Sequence, residues 1–242
     1  MNLSSTQTVK SFAPSTIYTA RDFPGYTLKH LQAMYPRSWK EAAQHFNVAL
    51  PEQLPKLTKL TIEQIKHKAI AQQVWDFYPT PQPVIEKMID VARIKPDHRV
   101  LEPSAGTGDL VTAIALLGIS KIDCFELNLN LQQALTLQGF NVVGADFLTR
   151  SPQPVYDRVL ANPPFSHNGV AKHTQHAFKF LSPEGRLVTL AHHYQLKPSS
   201  CDQQFFAWLK DRKAKFLNLG SAFKKGNRPT ETLIQMIVID KP

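Results

Sequence analysis

From Val84 to the C-terminus, short apolar runs alternate with helical segments, and this alternation constrains the fold more than any other feature. The spacing predicts helices over 84–92, 109–117, 131–137, 172–181 and 203–210. It predicts strands over 100–102, 122–126, 142–146, 158–161, 187–191, 216–219 and 233–239. Strands separated by helices need crossover connections, so they lie parallel with helices covering both faces. The last two strand runs have no helix between them, which makes the final strand antiparallel. The expected architecture is therefore α/β: a doubly wound, seven-stranded, mostly parallel, Rossmann-like sheet. In such sheets ligands sit outside the carboxyl ends of the strands, so the informative residues are those where strands stop.

The segment before this pattern has a different texture. Residues 1–24 are rich in Ser and Thr without apolar periodicity and read as a flexible tail. Residues 25–75 read as a helical accessory segment, broken by Pro36, Pro51 and Pro55. Within it, 38–48 faintly resembles the first helix and turn of a helix-turn-helix. Pro51 and Pro55 interrupt the helix that would read a groove, so packing is the favoured role. Residues 76–242 form the main domain.

A formal net charge of +9 over 242 residues makes polyanions, nucleic acid first, the expected partner class. The two cysteines, Cys124 and Cys201, stand on separate elements and support neither a disulfide scaffold nor a zinc cluster. No apolar run approaches the ~20 residues of a membrane span, and the N-terminus lacks a signal-peptide core, so a cytoplasmic protein is expected. His167, His173, His176, His192 and His193 lack a Cys or carboxylate partner set at ligand spacing and read as helix-surface or loop histidines; no metal is expected.

Four strand ends carry chemistry. After the first, Ser104-Ala105-Gly106-Thr107-Gly108-Asp109 makes a turn whose glycines let a ligand approach the backbone. It is neither GxGxxG nor a phosphate-binding P-loop. Glu126 ends the second strand, where an acid accepts hydrogen bonds from ribose hydroxyls. Asp146-Phe147 ends the third, offering an acceptor for an amino group and a ring to pack on a base. After the fourth comes Asn162-Pro163-Pro164-Phe165. An exocyclic amino nitrogen is a poor nucleophile because its lone pair is delocalised into the ring. A site for it needs acceptors at both amino hydrogens and an aromatic face to hold the base. The Asn162 side-chain oxygen and the Pro163 carbonyl suit the first need, and Phe165 the second. Upstream, Tyr78-Pro79-Thr80-Pro81 opens a helix, with Thr80 as a possible cap and Tyr78 and Thr80 as a lid over a charged ligand tail.

In order, Phe77-Tyr78-Pro79-Thr80-Pro81, Val100 to Gly108 and Asn162-Pro163-Pro164-Phe165 resemble the signatures of the gamma-type N6-adenine DNA methyltransferases. The resemblance runs from Asp76 to the C-terminus and is to the small phage- or plasmid-type members that lack a C-terminal target-recognition domain. It implies a class I fold, S-adenosylmethionine as cofactor, and methyl transfer to the adenine amino group of DNA. It implies cofactor contacts from Tyr78, Thr80, Glu102, Ser104, Gly106, Gly108, Glu126, Asp146 and Phe147. Asn162, Pro163, Pro164 and Phe165 would form the catalytic loop. Phe223 would be a second stacking face, with Lys224, Lys225 and Arg228 neutralising substrate phosphates. Target choice would then fall to the N-terminal segment or a specificity partner. RNA or protein-glutamine methylation is the alternative acceptor chemistry, and a non-catalytic nucleic-acid-binding subunit the alternative role.

Overall fold

The computed structural model describes residues 64–65, 67–68, 76, 78–192, 200–224 and 230–242. The chain divides into two compact units, Met1–Gln64 and Ile65–Pro242, and everything below concerns the second. The expected tail over 1–24 and the helix-turn-helix-like stretch over 38–48 lie outside the described residues, as do Phe77, His193, Lys225 and Arg228. Of the segment 25–75, Gln64, Ile65, His67 and Lys68 are described, and they are helical.

Seven strands form one sheet: β1 Val100–Glu102, β2 Ile122–Phe125, β3 Asn141–Gly144, β4 Tyr156–Ala161, β5 Leu181–His192, β6 Lys215–Gly220 and β7 Ile234–Asp240. Their order is β3-β2-β1-β4-β5-β7-β6. β1 through β5 run parallel, and β7 lies antiparallel between β5 and β6, as the missing helix before it required. The helices are α1 Gln82–Ala92, α2 Asp109–Leu116, α3 Leu129–Leu137, α4 Gly169–Phe178 and α5 Ser200–Asp211. Both faces of the inner strands are covered: every residue of β1 and β2 is buried. Burial on both sides is what turns a strand's alternation into a continuous apolar run.

Arginines hold α1 in place. Its buried face is Val84, Ile85, Met88 and Ala92, and the chain leaves it through Arg93 in the left-handed region. The last carbonyls of a helix have no partner within it. Arg158 of β4 donates to the Ala92 carbonyl at 2.7 Å, and Arg186 of β5 donates to the Val91 carbonyl at 2.8 Å. Asp123 is buried and accepts from Arg99, Asn141 at 2.7 Å and the Tyr156 hydroxyl at 2.8 Å, joining β2 to β3 and β4.

The departures from the sequence expectation that bear most on the site fall at α4 and β5. α4 starts three residues before the predicted 172 and ends at Phe178, and β5 starts at Leu181, six residues before the predicted 187. The Phe180 carbonyl accepts from the Tyr156 N–H at 3.1 Å, which commits the chain to the sheet. Pairing then skips from Tyr156 with Leu181 to Arg158 with Arg186. The extra residues, with Glu184 at φ 61°, form a bulge that reads as a turn from Pro183-Glu184-Gly185.

Candidate active site

The order of strands reverses between β1 and β4, and a crevice of about 570 Å³ opens there outside their carboxyl ends. Tyr78, Thr80, Glu102, Ser104, Gly106, Glu126, Asp146, Phe147, Asn162 and Pro164 all line it. The Asn162 loop and the Ser104–Asp109 turn, far apart in sequence, thus share one cavity.

The turn after β1 is held by its neighbours. The Ala105 N–H donates to the Phe125 carbonyl at 2.9 Å, and the Gly106 N–H donates to a Glu126 oxygen at 2.7 Å. The other Glu126 oxygen accepts from the Asn128 N–H at 2.8 Å. Gly106 has φ 54° and Gly108 φ 82°, conformations that favour glycine. Gly108 does not line the crevice. A Cβ there would sit 2.7 Å from Leu135 of α3, so this glycine lets α2 and α3 pack together.

Burial pushes the Glu102 carboxyl well above the ordinary carboxylate range, and the negative charges of Asp109 and Glu126 add to that. Burial raises Glu126 as well, opposed by the N–H groups of Asn128 and Gly106. Asp76, Glu102, Asp109, Glu126 and Asp146 all line the cavity, and no Lys or Arg stands among its described lining residues. In a chain with net charge +9 this crevice is selectively acidic. It repels phosphates and attracts cations.

On the opposite rim, the Asn162 amide nitrogen donates to the Tyr78 carbonyl at 2.9 Å and to the Thr80 hydroxyl at 3.0 Å. These two bonds fix the amide, and its oxygen is buried without a hydrogen-bond partner among the described residues. Asp76, at φ 58°, accepts from both the N–H and the hydroxyl of Ser166, at 2.7 and 2.8 Å, and so ties the same loop to the lid. Behind the loop, a Cβ on Gly169 would collide with the Pro164 carbonyl; glycine lets α4 begin directly against it.

Other expected residues take different places. Pro163 and Phe165 are buried and do not line the cavity. The Phe165 ring stacks on His192, with centroids 3.9 Å apart and planes at 11°, and meets the edge of Tyr78. A base on that face of Phe165 has to take the place of the imidazole. Phe223 is 1% exposed and belongs to the core, so it presents no stacking face in this structure. Lys224 lines a neighbouring groove and pairs with Glu231 at 3.1 Å.

Sequence reasoning passed over Asp76, Leu127, Asn128 and His173, which line the crevice. The acid bonds a residue far along the chain and carries no local signal. Leu127, 71% exposed, adds an apolar side chain to the crevice lining. His173 looked like a helix-surface residue, but burial lowers its imidazole to about 4.

A parallel sheet closed by an antiparallel hairpin, with an acidic crevice at its switch point, suits a cationic nucleoside better than a dinucleotide. It is the architecture of the class I S-adenosylmethionine-dependent methyltransferases. A Listeria monocytogenes protein assigned to that class superposes with a TM-score of 0.56 at 14% identity, covering 97% of this chain and 84% of its own. The methyltransferase subunit of a type I restriction-modification system from Streptococcus thermophilus gives 0.55 at 18%, covering 68% and 45%. Among curated proteins, the type II methyltransferases M.HincII and M.HindII of Haemophilus influenzae are 26% identical over 86 residues. That match takes in 36% of this chain and 16% of the length of either relative. No protein-family model matches the chain.

The residues present fit the cofactor of this class. Glu102 Oε2, Ser104 Oγ, Asn162 Oδ1 and His173 Nδ1 are buried without hydrogen-bond partners among the described residues, and all four residues line the crevice. Unsatisfied buried polar atoms are costly and mark places where a ligand supplies the partner. Among the described residues, no group of three or more His, Cys, Asp and Glu is placed to hold a metal, and no helix is long and apolar enough to cross a membrane.

Proposed function

We propose that this chain is an S-adenosylmethionine-dependent methyltransferase acting on the N6 amino group of adenine in DNA. One observation carries the reading: the buried, unpartnered Asn162 oxygen on the rim of an acidic crevice. An acceptor fixed by two bonds to its own nitrogen is preorganised for an amino hydrogen and for little else. The bound cofactor supplies an electrophilic sulfonium methyl.

The chain's residues do the rest. Glu102 and Asp109 accept from, and neutralise, an ammonium group. Glu126, beside its two backbone donors, faces ribose hydroxyls. Leu127 offers an exposed apolar wall to a purine ring, and the buried Phe147 backs the strand end beneath it. Asn162 accepts an amino hydrogen and draws the lone pair of the target nitrogen out of conjugation. No strong general base is needed, because that nitrogen becomes acidic once alkylated. A duplex target has to leave its stack, at a cost of a few kcal/mol. Stacking on Phe165, worth ~1–3 kcal/mol per base, offsets much of this once His192 yields its place.

Nucleoside mass spectrometry on DNA and RNA incubated with protein and cofactor tests the reading, with labelled-methyl screening of protein acceptors alongside. The expected product is N6-methyladenine in DNA. Methylation confined to RNA or to protein glutamine overturns the acceptor assignment, and cofactor binding without any transfer leaves a binding subunit.

A further inference from the structure

We infer that His173, paired with Asp146, reads the purine edge of the cofactor's nucleoside and makes the crevice selective for adenosine over its 6-oxo counterpart. The inference rests on the cofactor reading above and gives its base a second, neutral contact.

His173 stands one turn into α4, which starts directly behind the Pro164 carbonyl. Its ring meets Phe147 edge-on with centroids 5.9 Å apart, so it sits at the same end of the crevice as the Asp146-Phe147 strand end. The neighbouring His176 differs: its Nε2 lies 3.0 Å from the Arg150 carbonyl, away from the cavity. His173 Nδ1 is buried, and no described residue bonds it. An unsatisfied buried imidazole nitrogen on a residue that lines the crevice calls for a partner atom.

Asp146 defines the rest of the pair. One of its oxygens accepts from the Leu148 N–H at 2.9 Å and caps the short 3₁₀ turn Phe147–Thr149, which fixes the carboxylate. Its second oxygen is an acceptor only, whereas a neutral imidazole can donate from Nδ1. Asp146 and His173 are close enough to interact electrostatically. Acceptor beside donor complements a 6-aminopurine, which offers an amino donor beside a ring-nitrogen acceptor. The 6-oxo purine presents the reverse, a carbonyl toward the carboxylate and a ring N–H toward the imidazole. Sites built on paired hydrogen bonds reject such analogues strongly. A neutral imidazole also adds no positive charge beside a cationic ligand.

The test is calorimetry on the full chain with S-adenosylhomocysteine and S-inosylhomocysteine. The wild type should prefer the adenosine ligand. His173→Ala should weaken that ligand by about tenfold while leaving the inosine ligand nearly unchanged, which collapses the preference. His173→Asn, whose amide nitrogen falls near the place of Nδ1, should restore most of the preference. Unaltered binding of both ligands by His173→Ala, or an equal loss of both, overturns the inference. A wild type that binds neither ligand overturns the cofactor reading beneath it, so the two failures are distinct.

Discussion

Asn162 shows how much one side chain is asked to do. Its nitrogen secures the lid through Tyr78 and Thr80, and its oxygen is held in reserve. Asn162→Ala should lower the rate of transfer by roughly 10²–10³, as for removal of a preorganised polar contact. Cofactor affinity should fall by no more than about fivefold, for the loosened lid alone. Single-turnover rates beside calorimetry separate the two, and near-normal turnover would falsify the assignment. Glu102 gives a second residue-scale expectation. Its carboxyl is raised well above the ordinary 4.5 by burial and by Asp109 and Glu126, so the free protein holds its proton into a pH range where ordinary carboxyls have lost theirs. A cationic group beside it favours the charged form and pulls the value back down. Binding of S-adenosylmethionine should therefore release a proton at pH values between the lowered and the raised position, and progressively less above it. Heats measured in buffers of different ionisation enthalpy reveal the release, and Glu102→Gln should abolish it. These residues were legible because strand ends carry their own signature. Asp76 and His173 were not, because their roles depend on packing against distant segments.

At the scale of elements, the alternation of apolar runs located every strand and helix of the sheet domain, and its errors have a common cause. The apolar run places the start of β5 at 187, whereas Pro183-Glu184-Gly185 is a bulge within a strand already paired through Leu181. The helical spacing places the start of α4 at 172, three residues late. In the structure Gly169 is the first residue of the helix, chosen for what it lies against. Because a Cβ at that position would collide with the Pro164 carbonyl, Gly169→Ala has to displace either the helix or the Asn162–Phe165 loop. The expected cost is about 1–3 kcal/mol of stability, the range for overpacking. The catalytic effect should be larger than that implies, since a shift of about 1 Å in a positioned group can cost 10²-fold. Denaturant midpoints and turnover together check this. A variant with an unchanged rate would mean that the loop's position is set elsewhere, by Asp76 and Ser166.

For the chain as a whole, charge is divided by function. The sequence carries a net +9, yet the crevice is lined by carboxylates with no Lys or Arg among its described lining residues. The excess positive charge therefore lies outside the acidic crevice, and the proposed function assigns it to a polyanion. This division makes the two kinds of binding respond differently to salt. Each neutralised phosphate of duplex DNA contributes about −0.9 to the slope of log affinity against log salt, so five contacts would lower affinity roughly 500-fold for a fourfold rise in salt. S-adenosylhomocysteine has a neutral sulfur and a zwitterionic tail, and binds within the crevice. Its affinity should change by less than about twofold over the same range, because partly buried interactions are screened much less. Fluorescence anisotropy with a duplex, run beside calorimetry with the small ligand, measures both slopes on one preparation. A DNA affinity that stays flat with salt would remove the polyanion role from the positive charge. It would leave the acidic crevice as the sole electrostatic argument and shift the acceptor away from nucleic acid toward a side-chain amide.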